Sequence, residues 1–130
     1  MKRREAGFTL SELLIVVAII AVLVAIAIPV FSAQLHKARV ATDWANVRAY
    51  YAELQSNYLE TGKIDNSKLH ETSKDPVGLT SFELAGETVD LAEGSLWVAP
   101  CTTYGKGYNL FYACNKLYSH RDCMLTLPTE

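Results

Sequence analysis

The chain has 130 residues, half of them hydrophobic, with a formal charge of -2 and three cysteines. That length holds one modest globular domain once an apolar N-terminal run is set aside, and the charge argues against a basic nucleic-acid binder. No P-loop, HExxH, CxxC, GxSxG or GxGxxG spacing occurs, so no enzyme constellation, small-molecule substrate or cofactor is expected.

Residues Met1 to Gly7 form a short leader whose Lys2, Arg3 and Arg4 make it too polar to insert and hold it on the cytoplasmic side. From Leu13 to Val30 no residue has a polar side chain, and no charge occurs between Leu13 and Gln34. As a helix that stretch spans about 33 Å, one bilayer core. A helix apolar on every side belongs in lipid or among copies of itself. Ala18, Ala21 and Ala25 fall at helical spacing, a pattern that suits close helix approach and is also common in any membrane helix.

Glu12 stands at the lip of this run, where a carboxylate is costly unless paired. At a membrane helix centre the penalty is about 2.5–3.5 kcal/mol, falling toward the interface. One local reading is a capping box, Thr9-Leu-Ser-Glu12, with Phe8 and Leu13 in the hydrophobic-staple positions and the carboxylate suited to the helix dipole.

The run Gly7-Phe8-Thr9-Leu10-Ser11-Glu12-Leu13-Leu14, with three bases before it and an apolar helix after it, resembles the leader junction of type IV prepilins and related pseudopilins. The resemblance covers about the first 30 residues. It implies that a prepilin peptidase cuts after Gly7 and N-methylates Phe8, and that Glu12 is needed for assembly. Cleavage places an ammonium on Phe8, and Glu12 is its obvious partner, within one subunit or between two. The implied partners are the peptidase, further copies and other pilins in a helical filament, a membrane assembly platform, and lipid before assembly. The implied location is a single-pass cytoplasmic (inner) membrane precursor with its N-terminus inside, then an extracellular pilus.

Pro29 removes the hydrogen bond to the Ala25 carbonyl and clashes there, which predicts a kink or loosened turn. In type IV pilins a proline at the matching position accompanies a helix that partly melts on entering the filament. Beyond it the pattern turns amphipathic: Val40, Trp44, Val47, Tyr51, Leu54 and Tyr58 form one stripe, flanked by Lys37, Arg39, Asp43, Arg48, Glu53 and Gln55. Gly62 supplies the stop. One helix is thus expected over residues 8–61, spanning the membrane at about 8–31, followed by a globular domain over 62–130.

Lys63 to Ser81 reads as a loop, with Asp75-Pro-Val-Gly78 a turn that is also similar to the D-P-x-G stretch of major pseudopilins. Short strands are predicted at Phe82–Leu84, Thr88–Leu91, Ser95–Ala99, Tyr108–Ala113 and Cys123–Leu127. They would form an antiparallel meander laid on the Trp44–Tyr58 stripe. The expected class is α+β, in the order that also builds the pilin fold.

If Ser95–Ala99 and Tyr108–Ala113 form a hairpin, Cys101 and Cys114 lie at opposite ends, about 23 Å apart and beyond disulfide reach. Cys114–Cys123 closes a short loop worth roughly 2–4 kcal/mol; Cys101–Cys123 is the second choice. Many pilins carry a C-terminal disulfide-bounded segment, which agrees with either. His36, His70 and His120 lack compelling partners in the sequence. Although His120 is near Cys123, no C-x2-C or H-x3-H spacing supports a zinc site, so no metal is expected.

The expectation is a structural pilin subunit. A pseudopilin of a secretion or DNA-uptake machine shares the N-terminal argument. A secreted or anchored binding domain with an ordinary signal peptide is the alternative from another class, since Ala25-Ile-Ala27 satisfies the small-x-small rule.

Overall fold

A computed structural model describes residues 7–72, 74, 76–102, 106–114 and 123–128. The leader residues before Gly7, Asp75 of the expected turn and His120 lie outside the described residues. The chain falls into two compact units whose boundary lies between Leu35 and His36.

Helix α1 runs unbroken over Leu10–Thr61, with Pro29 inside it. The single bond that proline removes does not end a helix that continues to Thr61, with Ala27, Ala33 and Leu35 among the good helix formers nearby. Every residue from Gly7 to Leu35 is exposed within the chain.

From His36 onward α1 is one wall of the globular unit. A 3₁₀ turn at Asn66–Lys68 follows, with Asp65 as its cap: its side chain accepts from the Ser67 N–H at 2.9 Å. Five strands then complete the fold: β1 Ser81–Leu84, β2 Glu87–Asp90, β3 Gly94–Pro100, β4 Tyr108–Cys114 and β5 Leu125–Leu127. β1 and β2 pair as an antiparallel hairpin, with Ser81 opposite Asp90. The second sheet has the order β3-β4-β5, with Gly94 opposite Cys114 and Leu110 opposite Leu127.

The single meander expected from the sequence is therefore two sheets, for a reason that lies at the edge of β3. His70 bridges to Val98 and Leu79 to Leu96, so segments of the supposed loop occupy the ladder positions that β2 would have taken. The link between β2 and β3 then bonds to the helix: Ala92 and Glu93 N–H groups both donate to the Asp43 carboxylate at 2.9 Å.

The core joins Val40, Val47, Tyr50 and Leu54 of α1 to Phe82, Leu96, Val98, Tyr108, Leu110, Tyr112, Leu125 and Leu127. Strand alternation is clean on β4, where Tyr108, Leu110, Tyr112 and Cys114 face inward and Asn109, Phe111 and Ala113 do not. The helix stripe is rotated from its expected position. Asp43 and Tyr50 are buried, while Trp44, Tyr51 and Tyr58 lie half-buried at its margins. Tyr50 stacks on Phe82 at 4.5 Å between ring centroids. Asp43 enters the core because it is fully bonded there: besides the two backbone donors, the Tyr112 hydroxyl donates to it at 2.8 Å. Gly107, at φ +116°, lets the chain entering β4 press against Gln55, where any side chain would collide. The Tyr108 N–H donates to that same Gln55 at 3.2 Å.

Candidate functional site

Of the expected processing and assembly residues, Gly7, Phe8 and Glu12 lie together at the start of α1, with Pro29 farther along it, and the local chemistry of the first group explains how the helix begins. Thr9 is the N-cap: the Glu12 N–H donates to Thr9 Oγ1 at 3.3 Å. Glu12 answers through Oε2, which accepts the Thr9 N–H at 2.9 Å and the Thr9 hydroxyl at 2.6 Å. This is a reciprocal capping box, which satisfies orphan donors of the first turn. An ionised carboxylate has about four acceptor positions, so the two bonds of the cap leave capacity for another donor. Capping and ammonium pairing are therefore compatible at Glu12.

Gly7 has an ordinary negative φ or extended backbone, and a Cβ built on it meets nothing within 4 Å. Among the described residues, then, no packing contact demands glycine there. Phe8 is 79% exposed.

The helix beyond this cap carries thirteen Leu, Ile and Val residues between Leu13 and Val30. The least exposed of them, Val16, is still 45% exposed. On an insertion scale each contributes about -0.3 to -0.6 kcal/mol, or roughly 4–8 kcal/mol together in favour of the bilayer. That exceeds the penalty of one carboxylate near an interface, so Glu12 does not prevent insertion. By length and composition α1 is able to cross a membrane.

The globular unit holds a second cluster, which the sequence does not announce. Cys114 ends β4 and Cys123 precedes β5, both buried. With His36 of α1 they form a group whose ligand atoms all lie within 4.8 Å of one another. His36 Nε2 is 3.5 Å from Cys123 Sγ, and its Nδ1 is 3.0 Å from Glu93 Oε2. Arg39 Nη1 donates to the other oxygen of Glu93 at 3.1 Å. Cys101, by contrast, follows Pro100 at the opposite end of the β3–β4 pair from Cys114. The fold thus brings together the two cysteines favoured by the spacing argument, and adds a histidine 87 positions from Cys123. Sequence spacing looks for ligands on one element and so passes over His36. A faint signal was its place one helical turn before Val40, at the start of the amphipathic stretch.

These features define a class: an α+β protein whose long, exposed apolar helix starts at a capped carboxylate. A family model described as the prokaryotic N-terminal methylation motif matches residues 2–28. The chain is also 35% identical over 79 residues to the type IV major alpha-pilin of Moraxella bovis, covering 61% of this chain and 50% of that protein. It spans about half the length of the curated relative it matches. No solved structure matches. The chain thus carries a prepilin-type N-terminal motif, is similar to a type IV pilin over 79 residues, and has a helix-then-sheet layout.

Proposed function

We propose that this chain is a structural subunit of a type IV pilus and not an enzyme. It is made as a membrane-inserted prepilin with its N-terminus in the cytoplasm, cut after Gly7, N-methylated at Phe8 and polymerised through α1. Residues 1–7 are the leader, 8–61 the helix and 62–130 the globular domain. The observation that carries the reading is the run of exposure from Gly7 to Leu35, headed by a Glu12 already anchored to Thr9. Such a surface is stable in lipid or among copies of itself, and its head carries the acid that a new N-terminal ammonium needs. The partners are the peptidase, other pilin subunits and the assembly platform. Pro29 serves as the point where α1 loosens on assembly. The proximity of Cys114 and Cys123 supports a disulfide between them in the exported protein, with Cys101 outside it.

The test is the N-terminus of the accumulated chain by mass spectrometry. A chain beginning at methylated Phe8 is expected, and Gly7→Val should leave the precursor uncut while its globular unit folds normally, because a Cβ at Gly7 meets nothing within 4 Å among the described residues. A chain beginning at Ile28 would move the protein to the secreted class. Long surface filaments support the pilus subunit, whereas a short structure confined to the envelope would make it a pseudopilin of a secretion or DNA-uptake machine.

A further inference from the structure

We infer that the dithiol form of this protein holds one zinc ion, or a similar thiophilic divalent cation, on His36 Nε2, Cys114 Sγ and Cys123 Sγ. The inference goes beyond the pilus reading and does not depend on it. Three observations carry it. First, the donor set is right: two thiolates and an imidazole are ligands that Zn²⁺ prefers, and three protein ligands with a fourth position open is a common coordination. Second, the spacing fits. In a tetrahedral site with Zn–S about 2.3 Å and Zn–N about 2.0–2.1 Å, nitrogen and sulfur lie about 3.6 Å apart and two sulfurs about 3.8 Å apart. His36 Nε2 is 3.5 Å from Cys123 Sγ, and all three atoms lie within 4.8 Å of one another.

Third, the outer partners are those that a metal-bound histidine needs. Glu93 lies 3.0 Å from His36 Nδ1, which places the proton on Nδ1 and turns Nε2 toward the cysteines. Glu93 is itself 5% exposed and held by Arg39 and by the Asp43 contact to its N–H, so the imidazole is fixed in orientation. The charges also close: two thiolates balance Zn²⁺, and Arg39 balances Glu93. Both thiols give up their protons to solvent on binding, as metal binding to cysteine requires.

The same two sulfurs serve the disulfide, so metal and disulfide exclude each other. Zinc therefore occupies the chain before oxidation, ties the segment entering β5 to α1 and β4, and shields Cys114 and Cys123 from pairing with Cys101.

The experiment uses the full chain in detergent, reduced, freed of reductant without oxygen, and titrated with Co²⁺ and then Zn²⁺. One equivalent of Co²⁺ should give a thiolate-to-cobalt charge-transfer band that Zn²⁺ removes. Cys101→Ser should keep the band. His36→Gln should weaken binding by at least 10-fold, and Glu93→Gln by about 10-fold with the band's shape retained. Far-UV circular dichroism checks that each variant is folded. Zinc loading should also slow disulfide formation by oxidised glutathione. Absence of the band in the reduced wild type would overturn the inference, as would an unchanged affinity in folded His36→Gln, or a band lost in Cys101→Ser.

Discussion

The two units of this chain are built by opposite rules. Up to Leu35 the helix is apolar on every side, with its one acid, Glu12, capped by a neighbour three residues away. From His36 on, apolar groups point inward, and the buried acids Asp43 and Glu93 are each held by groups about fifty residues distant. The first unit satisfies its backbone internally and leaves its side chains for an external partner. The second turns its apolar side chains into its own core and holds its buried acids with its own donors. The difference teaches where mutations should act: in the first unit on assembly with little change in folding, in the second on folding with no direct effect on insertion.

Glu12→Ala tests the first half of that statement and should have the largest effect. Insertion and cleavage should proceed, insertion slightly better for the loss of a carboxylate. The globular unit should melt as in the wild type. Filaments should be abolished or greatly reduced, because the Phe8 ammonium is left unpaired among apolar helices, and a buried unpaired charge is severely destabilising. The measurement is surface filament yield at matched amounts of processed protein. Glu12→Asp, which keeps the charge with a shorter reach, should retain part of the yield.

Asp43→Ala is the counterpart in the second unit. It strands three donors, the Tyr112 hydroxyl and the N–H groups of Ala92 and Glu93, in a site where Asp43 is 1% exposed. A loss of about 3–5 kcal/mol is expected on chemical denaturation of the detergent-held protein. Membrane insertion and leader cleavage should be unchanged. A loss of insertion, with the globular unit stable, would contradict the division between the units.

Asp43 also shows where sequence reading stopped. Periodicity finds apolar stripes, and for α1 it found one, but its centre lay between the residues named. An aspartate counted as a polar flank was buried, because donors from β4 and from the β2–β3 link converge on it. Those donors are about fifty and seventy positions away, so no local pattern contains them. The same holds for His36 against Cys123, and for His70 and Leu79, which pair on the edge of β3. By contrast the capping box, the apolar run and the β3–β4 pair were legible, since each is fixed by neighbours or by alternation within one element. The strands were found to within one or two residues because glycines in sequence, Gly86 after the first strand and Gly107 before Tyr108, mark where strands end and begin.

Alkaline pH separates the units more gently. Burial pushes the Tyr50 hydroxyl up to about 12, helped by the nearby Glu53. Burial, then the hydrogen bond to Asp43, pushes Tyr112 up as well. A folded-state value above the ordinary one near 10 means that the folded unit binds protons that the unfolded chain has lost. Stability is therefore complete below about pH 10 and declines as pH rises from about 10 through about 12. Denaturation midpoints of the globular unit should fall across that window. The helix up to Leu35, which contains no tyrosine, should keep its far-UV signal in detergent. A midpoint that holds constant to pH 12 would show that neither hydroxyl is held in its neutral form by the fold.

The smallest effect is expected from Thr9→Ala, and it decides what Glu12 is for. The substitution removes the Thr9 hydroxyl that Oε2 accepts at 2.6 Å and the Oγ1 that takes the Glu12 N–H at 3.3 Å. It leaves the Glu12 carboxylate in place, along with the Thr9 backbone N–H that reaches it at 2.9 Å. Losing an N-cap of this kind costs about 1 kcal/mol of helix stability. That is small beside the roughly 4–8 kcal/mol by which the apolar run favours the bilayer. If Glu12 acts chiefly as a partner for the Phe8 ammonium, Thr9→Ala should assemble at near wild-type yield, whereas Glu12→Ala does not. If Glu12 acts only as the other half of the cap, the two substitutions remove the same structure and should depress filament yield to the same degree. Equal yields from the two variants, at matched levels of processed protein, would reduce Glu12 to a helix cap.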